Sequence, residues 1–329
     1  MPVLSIKDLK ISFHSRNGII RAVNNVSFDL FPGEMLGIIG ESGSGKSVTC
    51  HALLGLLPKP PAVIDHGQAI FKGANLLNLS NQELRKIRGK EISIIFQNPM
   101  SALNPYLRIV DQLAEPLILH ERISLKLAMP RLIQSLDEVG IPNPETRIFD
   151  YPHQFSGGML QRIMIAMALI TKPKILIADE PTTALDVTIQ KQILDLIKAR
   201  CSELGTAAIF ISHDLSVVSE LCDRVGVMYA GQLIELAPTA DLFRNPQHPY
   251  TKALRDSIPS LTGQRQQLYS IKGSPPNPLN RAEGCPFAPR CEYVIQQCRF
   301  EKNELRDVNK THQTACIRHK ELSLTREVM

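Results

Sequence analysis

The sequence predicts an α/β fold with a mainly parallel sheet. Three observations predict it. Short apolar runs at 35–39, 92–96, 174–178 and 207–211 read as buried strands. Segments with helical periodicity alternate with them. Gly40, Gln97, Asp179 and His213 each sit just past one of these strands, where ligands bind in open α/β sheets.

Taken in order, residues 3–13 alternate apolar and polar side chains, as a half-buried strand does. Asn17-Gly18 signals a hairpin, residues 23–30 read as the returning strand, and Pro32-Gly33 turns the chain into the strand at 35–39. Gly40-Glu41-Ser42-Gly43-Ser44-Gly45-Lys46-Ser47 follows, and 48–57 reads as a helix. A Gly-rich stretch between strand and helix is the context of a phosphate-binding loop rather than of a chance turn. Glycines let backbone N–H groups turn inward around phosphate oxygens, and the helix N-terminus adds partial positive charge. Lys46 then reaches the phosphates and the Ser47 hydroxyl ligates Mg²⁺. Phe13 is either a core residue or an aromatic for stacking on a nucleotide base.

Pro58, Pro60 and Pro61 precede a short strand at 67–73, and 81–88 reads as a helix. The strand at 92–96 ends in Gln97-Asn98-Pro99. From 107 to 140 the apolar period is about 3.6, which predicts a helical insertion with Pro130 near a helix start. Ser156-Gly157-Gly158 opens a helix to about 171. The strand at 174–178 ends in Asp179-Glu180, a helix spans 187–202, and the strand at 207–211 ends in Ser212-His213-Asp214. Two strands near 225–229 and 232–236 close this part.

A carboxylate at a strand end beside a phosphate loop suits Mg²⁺ ligation by Asp179, with Glu180 as general base; adjacent carboxylates can also form a solvated turn. Ser156-Gly157-Gly158 is a second Gly-rich helix N-terminus and so a second anion site. With one nucleotide already cradled by Gly40–Ser47, this second site points to the nucleotide of another chain, sandwiched between two subunits.

The chain has 329 residues, 43% of them hydrophobic and 21% charged, as in soluble globular proteins. Its longest apolar run, 163–170, is too short to span a bilayer. Residues 1–12 lack a charged-then-apolar signal, so a cytosolic chain without disulfides is expected. Residues 1–250 carry 24 Lys and Arg against 24 Asp and Glu, and residues 251–329 carry 13 against 8, which together give the net +5. Such a mild tail excess argues against nucleic acid as partner.

Together these residues resemble the ATP-binding cassette (ABC) family over roughly 3–240. Gly40–Ser47 resembles its Walker A, Gln97 its Q-loop glutamine, Phe155-Ser156-Gly157-Gly158-Met159 its signature, 175–180 its Walker B, Ala184-Leu185-Asp186 its D-loop and His213 its H-loop. Met159 departs from the usual Gln. The resemblance implies a P-loop NTPase cassette with an antiparallel β subdomain and a helical subdomain at about 98–160. It implies an ATP site formed by Phe13 and Gly40–Ser47. Ser47, Gln97 and Asp179 are implied around Mg²⁺, and Glu180, His213 and Gln97 in hydrolysis. Phe96–Pro105, 178–186, His248-Pro249-Tyr250-Thr251 and 284–291 narrow it to the ATPase subunits of oligopeptide, dipeptide and nickel importers. That implies a second, different ATPase subunit, two membrane permeases and an extracytoplasmic peptide-binding protein, with this chain peripheral on the cytoplasmic face of the inner membrane. A soluble cassette ATPase of the DNA-repair or translation class would carry a coiled-coil insertion or a second cassette, and this chain has neither. A GTPase would want Asn-Lys-x-Asp, but Asn309-Lys310 is followed by Thr311-His312.

The expected domains are 1–250 and a small tail, 251–329. The tail holds Cys285, Cys291, Cys298 and Cys316, while Cys50, Cys201 and Cys222 lie in predicted helices as core residues. Intervening gaps of five, six and seventeen residues do not match short zinc hooks. Zinc, an iron–sulfur cluster and free thiols all remain open on spacing. The importer family resembled here includes members with a [4Fe–4S] cluster in such a tail. Arg290 and Arg299, adjacent to cysteines, are expected to offset its charge.

Overall fold

The computed structural model describes residues 1–183, 185–257, 271–279 and 283–325. Its strands are β1 (Leu4–Ser15), β2 (Gly18–Leu30), β3 (Met35–Ile39), β4 (Ala62–Phe71), β5 (Ala74–Asn75), β6 (Ile92–Ile95), β7 (Ile175–Asp179), β8 (Ala207–Ser212), β9 (Arg224–Tyr229), β10 (Gln232–Pro238), β11 (Arg306–Asp307) and β12 (Gln313–Thr314). Its helices are α1 (Lys46–Leu53), α2 (Asn81–Ile87), α3 (Pro99–Ala102), α4 (Ile109–Glu121), α5 (Leu125–Glu138), α6 (Pro144–Arg147), α7 (Gly157–Leu169), α8 (Val187–Leu204), α9 (Leu215–Leu221), α10 (Thr239–Arg244) and α11 (Pro249–Asp256). They form two units. The first holds Met1–Val3, Leu30–Glu34 and Asn78–Phe210; the second holds Leu4–Asp29, Met35–Leu77 and the described residues from Ile211 on.

In the first unit β6 and β7 pair in parallel, Ile92 beside Ile175, and β8 neighbours β7. Every residue of β7 and β8 is buried, which is why these strands read as unbroken apolar runs. The helical part buries Ile109, Leu113 and Leu117 on α4 and Ala128, Leu132 and Leu136 on α5. That is one stripe per helix at spacings of four. Pro130 does not start a helix; it lies inside α5. It is tolerated because Pro130 and Lys126, whose carbonyl loses its partner, are both on the exposed face, where water replaces the missing bond.

In the second unit β2, β1, β4 and β5 form one sheet in that order. β1 and β4 run antiparallel from Leu4 beside Phe71 to Phe13 beside Ala62. β4 starts five residues before the strand expected at 67–73. The proline cluster hides its beginning, and only pairing with the distant β1 extends it. Gly67 has φ +112, and a Cβ there would lie 2.6 Å from Leu9 Cα, beside the register shifts between Lys7 and Ile11. A side chain would break this close approach.

The unit's other sheet joins β3 to β9 in parallel, Ile39 beside Val227, and continues antiparallel through β10, β12 and β11. The sheet is mixed rather than mainly parallel, because a hairpin and two tail strands extend its edge. The tail is thus stitched to the cassette. Glu235 on β10 is fully buried. It accepts from Gln247 N at 2.6 Å, His248 N at 2.9 Å and His312 Nε2 at 2.7 Å. Phe287 packs edge-on against Tyr229 at 5.4 Å and lies 5.3 Å from Tyr250. Cys50, Cys201 and Cys222 are buried in the core. Among the described residues no helix is long and apolar enough to cross a membrane.

Removing one buried carboxylate here would strand three donors. Glu235→Leu is expected to cost about 3–5 kcal/mol, measured by denaturant unfolding, and to expose the tail to limited proteolysis. Unchanged stability and an unchanged digestion pattern would show that Glu235 does not hold the tail.

Candidate functional site

The second unit carries the Gly-rich loop, Gly40–Ser47, between β3 and α1. Gly40 has φ +153, and a Cβ there would fall 2.1 Å from the Met228 carbonyl oxygen. Only glycine lets the loop lie this close to β9. Lys46 is buried, and its Nζ donates to the carbonyls of Gly40 at 2.8 Å and Glu41 at 3.1 Å. The hydroxyl of Ser44 is buried without a protein partner. Buried polar atoms of this kind are normally satisfied, so this donor fits a phosphate oxygen. Ser47 is in the first turn of α1. Phe13 lines one cavity with Glu41, Ser42, Gly43, Ser44 and Gly45. His213 follows β8 and is exposed, and Asp214 caps α9 by accepting from Ser216 N at 2.8 Å.

Glu41 has partners that sequence reasoning missed. Its N–H donates to the Tyr250 hydroxyl at 3.1 Å, and Arg290 Nη1 donates to both of its carboxylate oxygens at 3.0 Å. The same nitrogen donates to the Tyr229 hydroxyl at 3.1 Å. Burial pushes the Tyr250 phenol up, so it stays protonated. No local signal points to Arg290, which lies 249 residues from Glu41.

The first unit carries the carboxylates. Asp179 ends β7 and is buried. Glu180 follows with φ +46, a left-handed conformation that is rare for this residue type. Its Oε2 accepts from Gln97 Nε2 at 3.0 Å and from Thr183 Oγ1 at 3.0 Å. Strained backbone of this kind gathers at functional sites. Ser156 caps α7, its hydroxyl accepting from Met159 N at 3.4 Å. A Cβ on Gly157 would meet nothing within 4 Å, whereas one on Gly158 would lie 3.0 Å from Ile189 Cγ2. Asp186 caps α8 through Ile189 N at 3.0 Å. Ala184 lies outside the described residues.

The tail cysteines converge. Cys285, Cys291, Cys298 and Cys316 line one largely apolar cavity with Phe287 and Ala315. Backbone N–H groups of Phe287, Tyr293 and Arg318 point at the sulfurs of Cys285, Cys291 and Cys316. Burial, reinforced by the neighbouring thiols, pushes Cys285 up to about 12 and Cys316 up to about 11. His248 Nε2 lies 3.9 Å from the Cys285 sulfur, and burial holds that imidazole neutral, down at about 3. The charge expected from Arg290 goes elsewhere, to Glu41. The arginine that faces the cysteines is Arg318, close to Cys298 and Cys316. Among the described residues no group of three or more His, Cys, Asp or Glu side chains is arranged to hold a metal ion.

A family model for ABC transporters matches residues 23–183, and a model for the oligopeptide/dipeptide transporter C-terminal region matches residues 234–298. The chain is 50% identical over 299 residues to the oligopeptide transport ATP-binding protein OppD of Haemophilus influenzae, covering 91% of this chain and 92% of that one. It is 52% identical over 296 residues to the dipeptide transport ATP-binding protein DppD of Bacillus subtilis, covering 90% and 88%. Among solved structures it resembles the dimeric ATP-binding cassette MJ0796 in a post-hydrolysis state bound to ADP and Pi. The TM-score is 0.64 at 28% identity, over 72% of this chain and 98% of that one. The fold and loop define an ABC cassette. More narrowly, the chain belongs to the ATP-binding subunits of the oligopeptide and dipeptide ABC transporters.

The Gly40 contact gives a direct check. Gly40→Ala must push the loop off Met228 and is expected to weaken ATP binding by more than about tenfold, measured by calorimetric titration. Wild-type affinity in this variant would mean that the loop's approach to β9 is not required.

Proposed function

We propose that this chain binds and hydrolyses ATP and, paired with a second cassette subunit, powers peptide uptake through a membrane ABC transporter. The observation that carries the reading is the Gly40–Ser47 loop, with its buried Lys46 and its close approach to β9. The names of the relatives, which transport oligopeptides and dipeptides, support the substrate class. The dimeric state of MJ0796 supports the paired cassettes.

In this reading residues 1–250 are the ATPase part and 251–329 its tail. Gly40–Ser47 holds the phosphates through backbone N–H groups and Lys46, and Phe13 takes the base. Ser47 from the second unit and Gln97 and Asp179 from the first are the residues that would hold Mg²⁺, whose charge would neutralise developing phosphoryl charge. Glu180 accepts a proton from the attacking water, and Gln97 holds that carboxylate in place. His213 joins the reacting end. Ser156, Gly157, Gly158 and Met159 offer a helix N-terminus to the partner's nucleotide, with Asp186 at the same junction. The partners are a second and different ATPase chain, two permeases and an extracytoplasmic peptide-binding protein. The chain sits on the cytoplasmic face of the inner membrane and does not bind nucleic acid. Met100, Tyr106, Leu119 and Leu127 are large apolar side chains left exposed in the helical part, a surface of the kind partners cover.

The four tail cysteines are the candidate ligands of a [4Fe–4S] cluster; as the described residues lie they are not arranged to hold a metal ion, so they would have to draw together around it. They share one cavity, three receive backbone N–H groups, and Arg318 supplies charge beside them. When bound, the cluster would cross-link the tail and carry one electron.

Glu180→Gln is expected to bind ATP yet hydrolyse it at least about a hundredfold more slowly. ATPase assays of the assembled transporter, with peptide uptake in the same vesicles, check this. Wild-type turnover would remove Glu180 from the chemistry, and ATP-independent uptake would remove the function. Anaerobically purified chain should be brown with about four irons, and Cys→Ser changes at the four positions should bleach it. Colourless, iron-free protein with four alkylatable tail thiols would overturn the cluster.

A further inference from the structure

The cavity that begins at the Gly-rich loop has a wall that belongs to the tail. Its volume is about 390 Å³, within the roughly 300–1,000 Å³ of small-molecule sites. Phe13, Ile20 and Ala22 line it from the antiparallel sheet, and Pro275, Pro276, Asn277 and Pro278 line it from the tail. The three prolines offer flat, apolar faces that carry no N–H donor, which suits the face of a nucleobase or ribose and not a phosphate.

This short segment is anchored at both ends. Before it, Arg290 Nε donates to the Lys272 carbonyl at 3.0 Å and Nη2 donates to the Ile271 carbonyl at 3.3 Å. The remaining nitrogen, Nη1, holds Glu41 of the Gly-rich loop. One guanidinium therefore ties the tail segment to the loop, and its planar, fully charged fork is suited to such multiple contacts. After the segment, Asn277 Oδ1 accepts from Leu279 N at 2.9 Å. Leu279 Cδ2 itself lies 3.2 Å from where a Cβ on Gly18 would sit. The segment thus lines the cavity, held on its N-terminal side by Arg290 and packed beside Gly18 at its end, by contacts that none of the loop motifs specify.

We propose that Pro275–Pro278 is a nucleoside-contacting wall of the ATP site and that Arg290 is the residue that positions it. The proposal rests on the ATP-binding reading above. It assigns the tail a part in nucleotide affinity, separate from any metal the cysteines hold. The wall contacts the base and ribose, so it distinguishes a nucleotide from a bare chain of phosphates.

The test titrates the full-length chain with ATP and with inorganic tripolyphosphate. Replacing Pro275, Pro276 and Pro278 together by Ala should raise the Kd for ATP about tenfold and leave tripolyphosphate unchanged. Arg290→Gln should weaken ATP more than tripolyphosphate. The chain contains no Trp, so Pro278→Trp, at an exposed position, supplies a single tryptophan that can be excited selectively over the tyrosines. Its emission should change on adding ATP and not on adding tripolyphosphate. Unchanged ATP affinity in the triple variant, equal loss of both ligands, or a Trp blind to ATP would overturn the proposal. A wild-type chain that binds neither ligand is a different result, which would overturn the ATP-binding reading and this wall with it.

Discussion

A carboxylate taken out of water must find donors or lose its charge, and the tail of this protein is built around one such carboxylate. Glu235 finds its three donors on two segments: the entry to α11 supplies Gln247 N and His248 N, and the turn before β12 supplies His312. β12 is then held against β10, with Thr314 beside Glu235. The tail has few large apolar residues of its own. It gains stability by extending a sheet that already exists, and docking there is what brings Phe287 and Arg290 to Tyr229 and Glu41.

The stretch from Cys285 to Cys291 serves two neighbourhoods at once. Its end residues line the cysteine cavity. Between them Phe287 packs on Tyr229 and Tyr250, and Arg290 reaches the Gly-rich loop. The stretch folds into a short 3₁₀ turn over Ala288–Arg290, which turns the arginine away from the sulfurs. A bound group that fixed both end sulfurs would reduce the conformations open to Phe287 and Arg290, by the same entropy argument that applies to any cross-link. Order in the tail and order in the Gly-rich loop are therefore joined through a few residues of chain and the Arg290–Glu41 ion pair.

What the sequence made legible was local. The Gly-rich loop, the strand-end carboxylates, the cap at Ser156 and the buried strands all depend on residues close together in the chain, and each is found where the pattern places it. The start of β4 was not legible, because its pairing partner β1 is about fifty residues away and the prolines before it read as loop. Pro130 was misplaced because the rule against interior proline assumes that the freed carbonyl is buried, and on the exposed face of α5 it is not. The partners of Glu41 were invisible for a related reason: nothing near Glu41 in sequence asks for Tyr250 or Arg290. The cysteines were legible as a set, yet Arg318, which pairs with Glu321 and lines their cavity, was not, since adjacency in sequence favoured Arg290.

Glu180 shows how the site uses a conformation that the chain would not choose unaided. A left-handed φ on a residue with a Cβ costs about 1–3 kcal/mol, and Gly would remove that cost. The side chain explains why Glu is there instead: its carboxylate collects hydrogen bonds from Gln97, just past β6, and from Thr183, in the following turn. Those bonds offset part of the strain and fix the direction in which the carboxylate points. Asp179, one residue earlier, remains in the strand and buried. The abrupt change in backbone between the two residues is what separates the two carboxylates. One is held in the sheet as a fixed acceptor, and the other is presented beyond its edge on a hydrogen-bonded arm.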